Sequence, residues 1–103
     1  MALKQNDPAQ ERNAAQDRAV DVLTWLADEP DMMGRFLALT GMTADTLRRS
    51  AREPGFHLAL LDFLMDHEPT LIAYCEATHT APEDIVRAHR ALSGPPGLDT
   101  NSF

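Results

Sequence analysis

The eleven residues Phe56-His57-Leu58-Ala59-Leu60-Leu61-Asp62-Phe63-Leu64-Met65-Asp66 decide the fold. Apolar side chains occupy almost every position, without period-2 alternation and without a single β-branched residue. A helix that is apolar nearly all round is normally covered by neighbours on most sides. A fourth helix over these residues is therefore expected at the centre of the domain, with Asp62 and Asp66, four apart, as its one polar strip.

On both sides of this run Pro and Gly punctuate the chain at short intervals, and the segments between them carry helical periodicity. A first helix is expected from Pro8 to Ala27, with Asp7 before a proline at the first helical position and a stripe of Ala15, Ala19, Val22, Leu23 and Leu26. A second runs from Pro30 to Thr40, turns Met33, Phe36 and Leu37 inward, and closes on Gly41, which readily takes the left-handed conformation. A third, from Ala44 to Arg52, is capped by Thr43, presents Ala44, Leu47 and Ala51 on one face, and is broken by Pro54-Gly55. The fifth, Pro69 to Thr78, aligns Leu71, Tyr74, Cys75 and Thr78. The sixth opens on Thr80-Ala81-Pro82-Glu83, the pattern of a capping box, and carries Ile85, Ala88, His89 and Leu92 on its inner face. The expected architecture is all-α, a compact six-helix array. It comprises a flexible N-terminus over 1–7, one helical domain over 8–92, and a flexible tail over 93–103 around Gly94-Pro95-Pro96-Gly97.

Bulk properties narrow the function classes. A chain of 103 residues with 44% hydrophobic and 24% charged residues has room for one core and folds without metal or disulfide. The formal net charge of -7 opposes a nucleic-acid role, because such binding draws its affinity from basic side chains meeting phosphates. The one cysteine, Cys75, has no partner for an internal disulfide. Residues 1–16 are polar and unlike a signal peptide, and no apolar run has the length of a membrane span, so a cytoplasmic address is expected.

The chain also echoes itself. A shift of 38 residues carries Trp25-Leu26 onto Phe63-Leu64, Phe36 onto Tyr74, Thr40 onto Thr78, Leu47 onto Ile85, and Arg49 and Arg52 onto Arg87 and Arg90. One expectation is two similar three-helix units about a pseudo-twofold axis. Helical periodicity alone is the competing source of such matches.

The stretch Trp25-Leu26-Ala27, the run Gly34-Arg35-Phe36-Leu37-Ala38-Leu39-Thr40-Gly41, the later Leu61-Asp62-Phe63-Leu64 with Glu68, then Pro82-Glu83 and Ala88-His89-Arg90, together resemble a small uncharacterised family of alphaproteobacterial proteins. The resemblance spans Val20 to Leu92 and rests on core and turn residues. It implies a helical domain of unknown function with no assigned activity, cofactor or partner, and it would place Gly where this chain has His79.

The chemical constellations read blandly. Cys75 and His79 are four apart, a spacing that suits one metal on an unbroken helix. The 38-residue shift, however, sets His79 on Gly41 at a helix end, and Cys75 lies on an apolar stripe where a thiol is inert. No Gly-rich phosphate loop, nucleophile elbow or paired-histidine helix occurs. No catalytic residue, metal or cofactor is therefore expected. Two surface features remain as places for a partner: the apolar edge of Trp25, Met32, Met33 and Met42, and the basic residues Arg48, Arg49 and Arg52 on the third helix with Arg87 and Arg90 on the sixth. The expected function is a small protein–protein interaction or adaptor module, binding a partner or a second copy of itself. An RNA- or nucleotide-binding regulator using the arginines is the alternative, and a metal-linked enzyme a distant third.

Overall fold

A computed structural model describes residues 8–93, and over them the chain forms six α-helices and no strand. They are α1 (Pro8–Ala27), α2 (Pro30–Thr40), α3 (Ala44–Ser50), α4 (Pro54–Met65), α5 (Glu68–Thr78) and α6 (Pro82–Leu92). The expected N-terminal segment 1–7, and the expected tail beyond Ser93, lie outside the described residues.

Proline sets most of the helix starts. It occupies the first turn of α2, α4, α5 and α6, where its fixed φ suits the helix and its missing N–H has no partner to lose. This moves one boundary from its expected place: Pro54-Gly55 opens α4 instead of only ending α3, with the Glu53 carbonyl accepting from Phe56 N and His57 N, both at 3.0 Å. α3 correspondingly stops at Ser50, short of Arg52. Its Thr43 cap stands as expected, the hydroxyl accepting from Thr46 N at 3.1 Å. The box expected at Thr80 and Glu83 is corrected. Ala81 is the cap residue, its N–H reaches the Asp84 carboxylate at 3.4 Å, and Thr80 turns its hydroxyl to Thr78 and Arg18 instead.

The helix ends show the same economy. Gly41 closes α2 at φ 73 and His79 closes α5 at φ 56, both left-handed. Glycine takes that conformation freely, whereas a Cβ-bearing residue is strained in it.

α4 forms the centre. Phe56, His57, Leu60, Leu61, Phe63 and Leu64 are all buried on it, and it packs against α1, α5 and α6. Of the expected α1 stripe, Ala15, Ala19, Val22 and Leu26 are buried and Leu23 is half-buried, and Phe36, Tyr74, Cys75, Ile85 and Ala88 join the α4 residues in the core. The most extensive seam joins α1 to α6. Ala14, Ala15, Ala88 and Ala91 line it, and such small side chains let two helices approach closely. Phe36 stands edge-on to Phe56 and Phe63, with ring centroids 5.8 and 5.4 Å away. Fully burying a Leu, Ile or Phe side chain stabilises by about 1.5–3 kcal/mol. By that measure α4 is anchored many times over, while α3 has no buried residue and meets the core through half-buried Leu47 and, just past its end, Ala51.

Candidate functional site

The most functional-looking geometry is a cleft between α2 and α4. Arg35, Leu39 and Thr40 form one wall, Ala59, Asp62, Phe63 and Asp66 the other, and His67 closes one end, around a volume of about 320 Å³. Positions 35 and 39 share a face of α2, as 59 and 63 share one of α4, because residues four apart stack on a helix.

The arginine is held in place from behind. Its guanidinium lies 5.1 Å from the centre of the Phe63 ring, a cation–π distance, and donates to Thr70 Oγ1 at 3.3 Å. Thr70 is only 1% exposed, so its hydroxyl needs partners. It accepts from Arg35 and is hydrogen-bonded to His67 Nδ1, 2.7 Å away. One buried threonine thus orients both the cation and the histidine of the cleft. Among the described residues Arg35 makes no ion pair, and neither does Asp66. At the mouth, Leu39 is 70% exposed, the most exposed of the large apolar side chains among the described residues.

A second polar cluster ties α1 to α5. Tyr74, fully buried, donates to Asp21 Oδ2 at 2.6 Å, and Arg18 donates to the same phenol oxygen at 3.3 Å and to Thr80 at 3.2 Å. Trp25 packs edge-on to Tyr74 at 5.5 Å. Burial, with the Asp21 hydrogen bond behind it, raises the phenol above its ordinary pKa. The bond to Tyr74 likewise raises Arg18. This cluster ties α1 to α5 and to Thr80 just beyond it.

Asp62, His89 and Ser93 line up in a way that invites a catalytic reading. His89 Nε2–H donates to Asp62 Oδ1 at 2.6 Å, and Ser93 Oγ lies 3.4 Å from Nδ1. A nucleophile needs its hydroxyl proton aimed at the base. Ser93 instead donates to the His89 carbonyl at 2.6 Å, the ordinary return bond of a serine one turn along a helix. The string therefore fastens α6 to α4 and finishes a helix end.

Of the expected site residues, Trp25, Met32, Met33 and Met42 are half-buried and packed against the core. The apolar group that reaches solvent on α2 is Leu39. Arg48 and Arg49 are exposed on α3, Arg52 just beyond it, and Arg87 and Arg90 on α6. Arg48 and Arg87 each face a carboxylate three residues earlier, Asp45 at 3.7 Å and Asp84 at 3.6 Å. Cys75 is buried, and burial pushes its thiol up from the usual range. His79, at the left-handed end of α5, has left the helix on which a four-apart metal pair would depend. Among the described residues no three His, Cys, Asp or Glu side chains gather to hold a metal, and no helix is long and apolar enough to cross a membrane.

Arg35, Thr70 and His57 escape a reading along the chain. Thr70 looks like an ordinary first-turn threonine until the fold brings Arg35 to it from 35 residues away. His57 is 4% exposed and donates from Nε2 to the Ala51 carbonyl at 2.7 Å, satisfying the end of α3, while its Nδ1 has no partner. The weak signal for it is a polar residue near the start of the apolar run of α4, away from the Asp62–Asp66 strip.

Fold and site together define a small all-α domain in which, among the described residues, buried polar groups tie helices to one another and a cleft opens between α2 and α4. The chain belongs to the family described as Protein of unknown function (DUF3572), whose model matches residues 12–95. Neither a curated protein nor a solved structure matches it.

Proposed function

We propose that this protein is a small cytosolic interaction module, without chemistry of its own, that binds another polypeptide chain at the α2–α4 cleft. The observation that carries the reading is Leu39, 70% exposed beside an arginine already fixed in place. Binding normally costs about 0.5–1.5 kcal/mol for each flexible side chain it immobilises. Arg35 is held by Phe63 and Thr70 beforehand, so most of that cost does not arise. Arginine and aromatic residues surrounded by apolar contact are also the usual composition of an interface centre.

Native mass spectrometry on tagged protein purified gently from its own cells tests this. Wild type and Val20→Glu, a charge placed on an exposed α1 residue, are expected to carry an added polypeptide mass, and Leu39→Glu to lose it. A bare monomer in wild type, or an added mass indifferent to Leu39→Glu, overturns the reading. A co-purifying nucleotide or RNA released by Arg49→Glu with Arg87→Glu would replace it with the arginine-patch alternative.

A further inference from the structure

We infer that the α2–α4 cleft is a self-complementary surface on which a second copy of this chain docks about a twofold axis. The inference rests on the interaction reading above and names its partner. A twofold interface uses one patch twice, so that patch must contain both members of every contact it makes. This cleft does. Its α2 wall supplies a cation, Arg35, and an apolar knob, Leu39, while the facing wall supplies half-buried Ala59 and, just past the end of α4, an acid, Asp66.

The two charges are free for the purpose. Asp62 is engaged by His89, but neither Arg35 nor Asp66 has an ion pair among the described residues. In such a twofold arrangement each Arg35 would face the other copy's Asp66, and both leucines would be covered. The placement of charge within the patch, rather than the net charge, favours this occupant. The net charge of -7 steers basic partners toward the surface. A uniformly basic segment would satisfy Asp66 and be repelled by Arg35, whereas a second copy matches both walls. Repulsion between two acidic chains acts over long range and is screened beyond about 8 Å at physiological salt. The contact pairs lie inside that distance. Association is therefore expected to strengthen from low to physiological salt, the reverse of an interface held by long-range attraction.

Sedimentation velocity of the purified full chain, from micromolar to several hundred micromolar, is the test, with circular dichroism checking that each variant is folded. Wild type is expected to form a dimer, and Leu39→Glu to weaken it by about tenfold or more, the scale of one lost interface-centre contact. Arg35→Asp alone places acid against acid, and Asp66→Arg alone places cation against cation, so each is expected to stay monomeric. Mixed one to one, they restore both contacts and should form a heterodimer. If Arg35→Asp fails to fold, for loss of its seat on Phe63, the exposed Asp66→Arg together with the double variant carrying both changes gives the same answer. A wild type that is monomeric throughout, or a dimer unmoved by these substitutions, or singles that do not pair when mixed, overturns the inference. A monomeric wild type that still captures a foreign chain through Leu39 ends self-association and leaves the interaction module standing.

Discussion

Two stretches of this chain use the same local devices and come to different ends. α2 and α5 both start with proline in the first turn, and both finish on a left-handed residue, Gly41 and His79. In each, the last threonine returns its hydroxyl to the carbonyl four residues back, Thr40 to Phe36 and Thr78 to Tyr74, both at 2.8 Å. Phe36 and Tyr74 are both fully buried. Beyond the turns the likeness stops. α6 lays Ile85 and Ala88 into the core against α1, whereas α3, which should be its counterpart, buries nothing. The difference teaches that turn chemistry is local and can be repeated anywhere, while burial needs a partner surface. α6 finds one in the alanine-lined face of α1; α3 offers one large apolar side chain, Leu47, to the rim of the core.

Substitutions at corresponding positions break or sharpen this contrast. The largest effect is expected at Ile85→Ala, which removes a fully buried side chain and should cost about 2–5 kcal/mol in urea unfolding. Leu47→Ala, at the matching place on half-buried α3, should cost about 1 kcal/mol or less, because the site is open to water and leaves no cavity. Equal losses would mean that α3 is as integral as α6.

The helix ends should respond oppositely to each other. Gly41→Ala puts a Cβ on a left-handed residue with nothing within 4 Å of it, so the cost is backbone strain alone, about 1 kcal/mol. His79→Gly relieves the same strain and should stabilise by a comparable or smaller amount, about 0.5–1 kcal/mol. Thermal unfolding of the two variants reads both signs, and a destabilised His79→Gly would show that the imidazole contributes something besides its conformation.

The smallest effect is a titration. Burial and the hydrogen bond to Asp21 raise Tyr74 above its unfolded value, so the folded state holds the phenol proton more tightly. That contribution to stability is complete below the unfolded value of about 10 and is lost as pH climbs through the folded one. The chain has one tyrosine, so ultraviolet difference absorbance reports on it alone. Ionisation later than a free tyrosine, moving back toward it in Asp21→Asn, is the expected outcome. Ionisation at the free value would show that the phenol is open to water.

Much of the fold was legible because it rests on short-range rules. The six helices, the burial of α4, the closure of α2 at Gly41 and of α5 at His79, and the Thr43 cap all depend on residues within one or two turns of each other. The shifts at Pro54 and Ala81 came where two signals overlap within a few residues, a breaker beside a starter and a threonine one place ahead of the true cap. The cleft was less legible. Met32, Met33 and Met42 share the neighbourhood of α2 with Leu39, and the periodic stripe alone does not say which of them meets solvent.

By itself, then, the sequence determined an all-α chain, six helices placed to within a few residues, and the central burial of α4, since periodicity and turn chemistry act along the chain. Only the tertiary structure decided which distant side chains meet: Arg35 with Thr70 and Phe63, Arg18 with Tyr74 and Thr80, Asp62 with His89. Those meetings depend on how whole helices are laid across one another. That arrangement is set by the summed packing of many apolar side chains, and no single segment carries it.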